Sequence, residues 1–300
     1  MSGRLFDSVL MVDWSAASAP TRGADSIWWA LHRAGDGLQA TGNPATRAEA
    51  VEILAHLAAA EADLGRRVLM GFDFPFGYPA GFAEAVTGEP SALALWAWLA
   101  REIEDAPDNA NNRFEVAARL NALTPGPGPF WGRPASRRHE GVPERKAGII
   151  YDRPAERRIV ERRQPGAQPT WKLYTTGSVG SQVLLGLPAL ERLRHDRRLA
   201  GRVSVWPFET GLEWHDRDAQ ARDAPTIVIA EIYPSLFDAA MRAAREPHEP
   251  KDRAQVRVTA AAMASLDARG LLAGALAGAP DLSAAEARTV AREEAWILGV

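Results

Sequence analysis

The chain has 300 residues, of which 46% are hydrophobic and 24% are charged. This length and composition predict one α/β domain spanning residues 1–300 and exclude a largely disordered chain. Lys and Arg number 35 and Asp and Glu number 38, so the net charge is −3 and any nucleic-acid-binding surface must be local. The sequence contains no cysteine, which excludes disulfides, thiolate metal sites and a cysteine nucleophile.

Apolar segments of the sequence are short. The N-terminus lacks the apolar core of a signal peptide. Residues 8–14 and 226–233 have the length of strands and fall short of the ~20 residues that a membrane helix needs. We therefore expect a cytoplasmic protein with no membrane partner, and the sequence leaves its oligomeric state open.

The first eighty residues predict the order strand, strand, strand, helix, strand. The helix carries apolar residues at helical spacing and ends before Gly65. Apolar and aromatic composition predicts the strands, and Pro75 interrupts the last of them. The predicted strands are 8–14, 26–33, 38–40 and 68–75, and the helix is 46–64.

The rest of the chain predicts two further strands and several helices on either side of an irregular segment. Residues 124–170 are rich in Pro, Gly and Arg and show no sustained periodicity, which predicts an inserted flap or loop. The strands are expected at 203–208 and 226–233, and the helices at 91–105, 113–123, 187–199, 235–244, 252–269 and 283–296.

Four carboxylates fall where predicted elements end or are interrupted: Asp13, Asp73, Glu231 and Asp252. Burying an ionised carboxylate in an apolar strand costs several kcal/mol unless it is paired or binds a cation. The strand segments contain no Lys or Arg near these positions, so a bound Mg²⁺ or Mn²⁺ would explain them. The four residues are therefore the candidate metal ligands and catalytic residues.

Each carboxylate also has an ordinary structural interpretation. Asp13 and Asp73 could accept hydrogen bonds in turns, and Asp252 could cap a helix. Glu231 lies between Ala230 and Ile232 and is hardest to explain in this way. Glu209 is another carboxylate near a strand end and could replace one of the four.

The order of these motifs, with Asp13 on the first strand, DFP at 73–75, AEIYP at 230–234 and KD at 251–252, resembles an uncharacterised family of predicted nucleases with a ribonuclease H-like, RuvC-like fold. The resemblance covers residues 5–80 and 203–270. It implies a mixed five-stranded sheet flanked by helices, with acidic residues at one edge that hold divalent metals. Some close relatives carry a label for molybdopterin guanine dinucleotide synthesis, although no residue here points independently to a pterin.

A second candidate site is the loop rich in small residues at 175–182. Its backbone amides and the following helix could bind a phosphate, with Lys172 supplying charge. The spacing matches neither the Walker motif nor the dinucleotide-binding motif. A tight turn with close backbone packing is the alternative explanation. The candidate substrate-binding residues are Lys172, Gly177, Ser178, Gly180 and Ser181.

Residues 133–163 contain ten Lys or Arg and five Asp or Glu, a local net charge of +5. Arg137 and Arg138 are therefore candidate phosphate contacts for a nucleic acid or nucleotide. The interleaved acidic residues favour slightly the alternative of a solvated segment with local ion pairs.

Together these patterns predict a metal-dependent phosphodiester hydrolase that uses an acidic cluster and an activated water. Three alternatives remain open at this point. The chain could be an accessory protein that binds a nucleotide or cofactor without cutting it, a phosphotransferase with an actin-like or sugar-kinase-like arrangement around Asp13 and Ser15, or an interaction protein indifferent to metal.

Overall fold

The computed structural model describes residues 4–124, 126–136, 139–175, 177–212 and 226–300. These residues form an α/β structure built on one mixed sheet of six strands. In space the strands follow the order β3-β2-β1-β4-β6-β5, with antiparallel pairing among β1, β2 and β3 and parallel pairing elsewhere. The strands are β1 (Ser8–Asp13), β2 (Trp28–Arg33), β3 (Gly37–Gly42), β4 (Val68–Phe72), β5 (Val203–Val205) and β6 (Ile227–Glu231).

The strand count corrects the five strands implied by the family resemblance. The additional strand at the edge is β5, which pairs with β6 over only three residues. All six strands were predicted along the chain, with ends that differ by a few residues. Local composition therefore gave a better count than the resemblance did.

Helices lie on both faces of the sheet. Three of them begin where hydroxyl side chains accept a backbone N–H: Thr46 caps the first long helix, Ser91 caps the third helix and Ser283 caps the last one. The helices are α1 (Arg47–Asp63), α2 (Phe82–Thr87), α3 (Ala92–Glu102), α4 (Arg113–Asn121), α5 (Ile159–Arg163), α6 (Gly180–Arg194), α7 (Asp238–Ala244), α8 (Lys251–Ala268), α9 (Leu272–Leu276) and α10 (Ala284–Thr289). None of the helices in the described part of the chain has both the length and the apolar composition needed to cross a bilayer.

Helix α6 begins at Gly180, seven residues before the predicted start at 187. Its first turns contain Gly180, Ser181 and Gly186, which by composition favour a loop. The surrounding core overrides this local preference, because most of the helix is buried.

Two apolar cores sandwich the sheet because successive side chains of a strand point to opposite faces. Leu10 and Val12 pack in one core with α1, α3 and α6. Val9 and Met11 pack in the other core with α8 and the C-terminal segment. Helix α8 lies against β1 and β2, which brings its first turn to the carboxyl end of β1.

The described part of segment 124–170 is anchored to the protein although it is mostly irregular. Phe130 is fully buried, and its ring packs against those of Tyr78, Phe82 and Trp171. The Asn121 side chain bonds to both the N–H and the carbonyl of Phe130. These contacts distinguish the described part of the segment from a loose flap.

Candidate functional site

A pocket of ≈ 830 Å³ opens at the carboxyl ends of β1 and β4. Asp13 ends β1, Asp73 follows β4, and Asp252 lies in the first turn of α8. All three carboxylates line the pocket. The rest of its lining includes a fourth carboxylate, Asp25, together with Ser18, Arg113, Tyr174, Thr175, Ser178 and Ser181.

Strand register explains why Asp13 and Asp73 are neighbours. Val12 pairs with Phe72 in the parallel β1–β4 ladder, so the next residue of each strand lies at the same level and on the same face. The Asp73 Oδ1 atom also accepts a hydrogen bond from the Trp14 N–H at 2.8 Å. This bond joins the ends of the two strands and fixes the position of the Asp73 carboxylate.

Asp252 is held by the loop that precedes β2. Its Oδ2 atom accepts a hydrogen bond from the Asp25 N–H at 2.7 Å. Asp73 and Asp252 thus accept backbone hydrogen bonds, as the structural interpretation expected, and still line the pocket. Asp13 differs, because within the described chain no hydrogen bond to its carboxylate is found.

Burial and mutual repulsion make this carboxylate cluster electrostatically unfavourable. Burial, reinforced by the negative charges of Asp73 and Asp252, raises the pKa of Asp13 well above its ordinary value. Burial raises the pKa of Asp73 to about 7 against two favourable backbone hydrogen bonds. Burial also raises the pKa of Asp252, with nearby Asp25 adding to the effect. A cation at this position would relieve these costs.

Glu231 does not line the pocket, which corrects the expectation that it joins the other three carboxylates. It pairs with Phe72 in the β4–β6 ladder, one residue before the level of Asp73, and therefore faces the opposite side of the sheet. There the buried Arg158 donates to its two oxygens at 2.6 and 2.8 Å. The Phe76 N–H donates a further bond at 2.8 Å. Glu231 thus forms a buried ion pair.

Glu209 is also absent from the pocket. Its carboxylate accepts hydrogen bonds from the Val205 N–H at 2.8 Å and from Arg194 at 2.6 Å. These contacts close the end of β5 and account for the carboxylate at that position. Glu209 therefore does not replace Asp13, Asp73 or Asp252 in the pocket.

The small-residue loop and the carboxylate cluster share one pocket, since Ser178 and Ser181 are part of its lining. The other predicted binding residues of this region lie outside the lining. Gly180 donates its N–H to the Lys172 carbonyl at 2.9 Å, and the Lys172 ammonium lies over the Trp131 ring at 5.7 Å. Gly177 has φ +72°, a conformation that favours glycine. The two glycines thus contribute to the backbone conformation and hydrogen bonding of this region, whereas the two serines line the pocket.

A substitution at Gly180 tests whether this glycine is needed for close backbone packing. A Cβ at this position would lie 2.5 Å from the Thr170 carbonyl oxygen and 2.7 Å from that of Lys172. We expect Gly180→Ala to lower the free energy of unfolding by about 1 to 3 kcal/mol in a urea titration, because backbone must move to make room. The control is Gly274→Ala in α9, where nothing lies within 4 Å of the new Cβ and no loss is expected. Equal stability of the two variants would contradict the prediction.

The basic segment gives little support to a phosphate-binding surface. Arg137 and Arg138 lie outside the described residues. Lys146 pairs with Glu156, and Arg163 pairs with Asp281. These contacts favour the alternative of local ion pairs.

Arg113 is a pocket residue that sequence reasoning missed. It is 8% exposed, and its guanidinium donates to Ser181 Oγ at 2.9 Å, Asn111 Oδ1 at 2.8 Å and Ser18 Oγ at 3.0 Å. Its position as the first residue of α4 carried no motif that could have singled it out. A cationic side chain thus lines the pocket together with the carboxylates.

No protein-family model, curated protein or solved structure matches the chain. The family suggested by the sequence therefore stays a prediction. Within the part of the chain that is described, no three acidic or histidine side chains form a group that could hold a metal ion by themselves. The pocket geometry is the basis for assigning a function.

Proposed function

We propose that this protein is a metal-dependent phosphodiester hydrolase of ribonuclease H-like type. The observation that carries the proposal is the presence, in one pocket, of Arg113 and the hydroxyls of the 175–182 loop with three of the predicted carboxylates, Asp13, Asp73 and Asp252. Carboxylate oxygens suit a hard divalent cation, and an arginine with hydroxyls suits a phosphate. Three of the four predicted carboxylates and two of the five predicted residues of the loop region line this pocket, which supports the proposal.

Mg²⁺ or Mn²⁺ fits the donors that are present. Mg²⁺ usually keeps several waters and is bound through one or two carboxylates together with substrate phosphates. Asp13 and Asp73 at adjacent strand ends supply such a pair, and Asp252 adds a third negative charge. A site of this kind does not require three protein ligands that converge in advance, so we expect metal affinity to increase when a phosphate substrate is present.

The pocket residues have different roles in the proposed hydrolysis. When bound, the divalent ion supplies charge neutralisation for the phosphate and lowers the pKa of an attacking water. Asp13 and Asp73 would hold the ion, and the backbone bond from Trp14 to Asp73 restricts the position of one carboxylate. Arg113 and Ser178 would orient the phosphate, because the Ser181 hydroxyl donates to the Leu173 carbonyl at 2.6 Å and accepts from Arg113. Hydrolysis would form a bond between the water oxygen and phosphorus and break the phosphorus–oxygen bond to the leaving group, which takes the bonding electron pair and a proton from the water.

The architecture supports the ribonuclease H-like assignment. The mixed sheet has helices on both faces, and Asp13 and Asp73 lie at neighbouring strand ends. The resemblance implies this arrangement. The departures are the sixth strand β5 and the position of Glu231 on the other face, so the proposed site contains three of the four predicted carboxylates.

The test is a hydrolysis assay with purified protein and its Asp13→Asn and Asp73→Asn variants, each with Mg²⁺, Mn²⁺ or chelator. The substrates are single-stranded, branched and RNA/DNA hybrid oligonucleotides. We expect metal-dependent cleavage that falls at least about 100-fold in either variant, because each loses a ligand charge. The matched control is Asp63→Asn, which removes a carboxylate with a 62% exposed side chain and should retain activity.

Three results would overturn the proposal. Cleavage that persists in chelator would exclude a divalent metal, and cleavage by both pocket variants at the rate of Asp63→Asn would place the chemistry elsewhere. If metal-dependent binding of a nucleotide or pterin nucleotide occurs with no turnover on any substrate, the accessory-protein alternative replaces the hydrolase.

A further inference from the structure

The pocket has the size of a small-molecule site. Its volume of ≈ 830 Å³ lies within the range of about 300 to 1,000 Å³ that is typical of ligand pockets. A pocket of this volume has room for one ligand unit of that size. The substrate unit inside the pocket should therefore be small.

Arg113 gives this pocket a cationic group with a restricted orientation. Its guanidinium donates hydrogen bonds to side chains on three different segments, Ser18 after β1, Asn111 before α4 and Ser181 in α6. Its guanidinium also lies 4.8 Å from the centre of the Phe114 ring. A guanidinium held in this way loses little conformational freedom when it binds a phosphate.

Tyr174 adds an aromatic side chain to the lining of the same pocket. The residue is 48% exposed, although the preceding Leu173 is buried, and it belongs to the pocket lining. An exposed aromatic ring next to a phosphate-binding group offers a flat surface on which a nucleobase can stack. Phosphate and base recognition are thus available within one pocket.

We propose that the pocket binds a single nucleotide unit, with its phosphate on Arg113 and its base against Tyr174. This inference rests on the proposed function for the position of the scissile phosphate near Asp13 and Asp73. It specifies the substrate as a mononucleotide ester or the terminal nucleotide of a single strand. The interior of a duplex would not satisfy both contacts.

The experiment is an isothermal titration of the whole protein with adenosine 5′-monophosphate and, separately, with inorganic phosphate, in Mg²⁺ and in chelator. We expect Tyr174→Ala to weaken nucleotide binding about 10-fold or more through lost stacking and to leave phosphate binding within about 2-fold. Tyr174→Phe keeps the ring and should bind the nucleotide almost as wild type does. Arg113→Gln should weaken both ligands at least about 10-fold.

Arg113 could instead be needed only for folding, and two controls separate this possibility. Arg113→Lys keeps the charge without the planar fork and should recover part of the phosphate affinity. Arg119→Gln changes an arginine of the same helix whose side chain is 55% exposed and pairs with Glu102, and it should bind both ligands normally. Thermal melts establish that each variant is folded before titration.

The outcomes distinguish this inference from the proposed hydrolase. Cleavage at internal duplex positions, with no nucleotide binding and no effect of Tyr174→Ala, would overturn the inference and leave the hydrolase intact. Nucleotide binding that needs both side chains, without cleavage of any substrate, would support the inference and overturn the hydrolase. Equal loss of affinity in Arg113→Gln and Arg119→Gln would also overturn the inference.

Discussion

Replacing Glu231 with Gln is expected to lower the free energy of unfolding by about 1 to 3 kcal/mol, because it removes one charged partner of the buried Arg158, which keeps its ion pair with the buried Glu161. Both side chains are buried, and Arg158 donates two hydrogen bonds to the Glu231 carboxylate. Arg158 also donates to the Glu294 carbonyl at 2.7 Å. The pair therefore joins β6 to segment 124–170 and to the C-terminal segment.

Urea titration of wild type and Glu231→Gln measures this effect. The control is Glu52→Gln, which breaks an ion pair with Arg198 whose glutamate side chain is 70% exposed and should cost about 1 kcal/mol or less. If Glu231 were instead a metal ligand, Glu231→Gln would keep its stability in chelator and lose metal affinity. That result would contradict the structural role assigned to Glu231.

Glu231 shows why part of the candidate site was beyond prediction from sequence. The apolar context correctly indicated a buried strand with a carboxylate that needs a partner. The face of the sheet depends on strand register, and a shift of one residue reverses it. No local pattern distinguished the level of Asp73 from that of Phe72, and the partner Arg158 lies 73 residues away in the chain.

The position of Asp13 and Asp73 at one edge of the sheet could be predicted, because it depends on where the strands end. Each follows a short apolar run, and parallel strands place their carboxyl ends at the same edge of a sheet. Asp252 required only a helix start near that edge. The sequence thus located the three carboxylates, while the site they share was a matter of tertiary structure.

Arg113 and the start of α6 depended on tertiary structure entirely. Arg113 reaches the pocket because Ser18 and Ser181, 95 and 68 residues away in the chain, accept its hydrogen bonds. Gly180 and Gly186 favour a loop by local propensity, yet both lie in a helix that is mostly buried. Contacts between segments that are distant in the chain determine both features. Such contacts leave no pattern in the local sequence.

The Asp73→Asn variant is expected to be more stable than wild type by about 1 to 3 kcal/mol at pH 8 in chelator, since one pKa unit corresponds to about 1.4 kcal/mol. The carboxyl group has an ordinary pKa of 3.8, and burial raises it to about 7 in the folded protein. Asn cannot ionise and can still accept the hydrogen bond from the Trp14 N–H. The variant should thus gain stability while it loses hydrolysis.

The dependence on pH follows from the same shift. Between the ordinary pKa of 3.8 and about 7 the unfolded chain has released the Asp73 proton and the folded chain retains it. Folding therefore takes up a proton on Asp73 in this window, so the contribution of Asp73 to wild-type stability in chelator should fall as the pH rises through it and level off above about 7. Asp73→Asn should show a shallower decline, and Asp63→Asn, with its exposed carboxylate, should follow wild type.

Divalent metal should reverse this trend if the pocket binds it. An ion that binds only the folded state adds stability, and it competes with the proton on Asp73. Added Mg²⁺ should therefore raise the melting temperature of wild type more at pH 8 than at pH 5 and have little effect on Asp73→Asn. Thermal melts at the two pH values, with and without Mg²⁺, measure the stability that the ion adds and how that stability depends on pH. An equal rise in wild type and Asp73→Asn would show that any metal-dependent stability comes from another part of the protein.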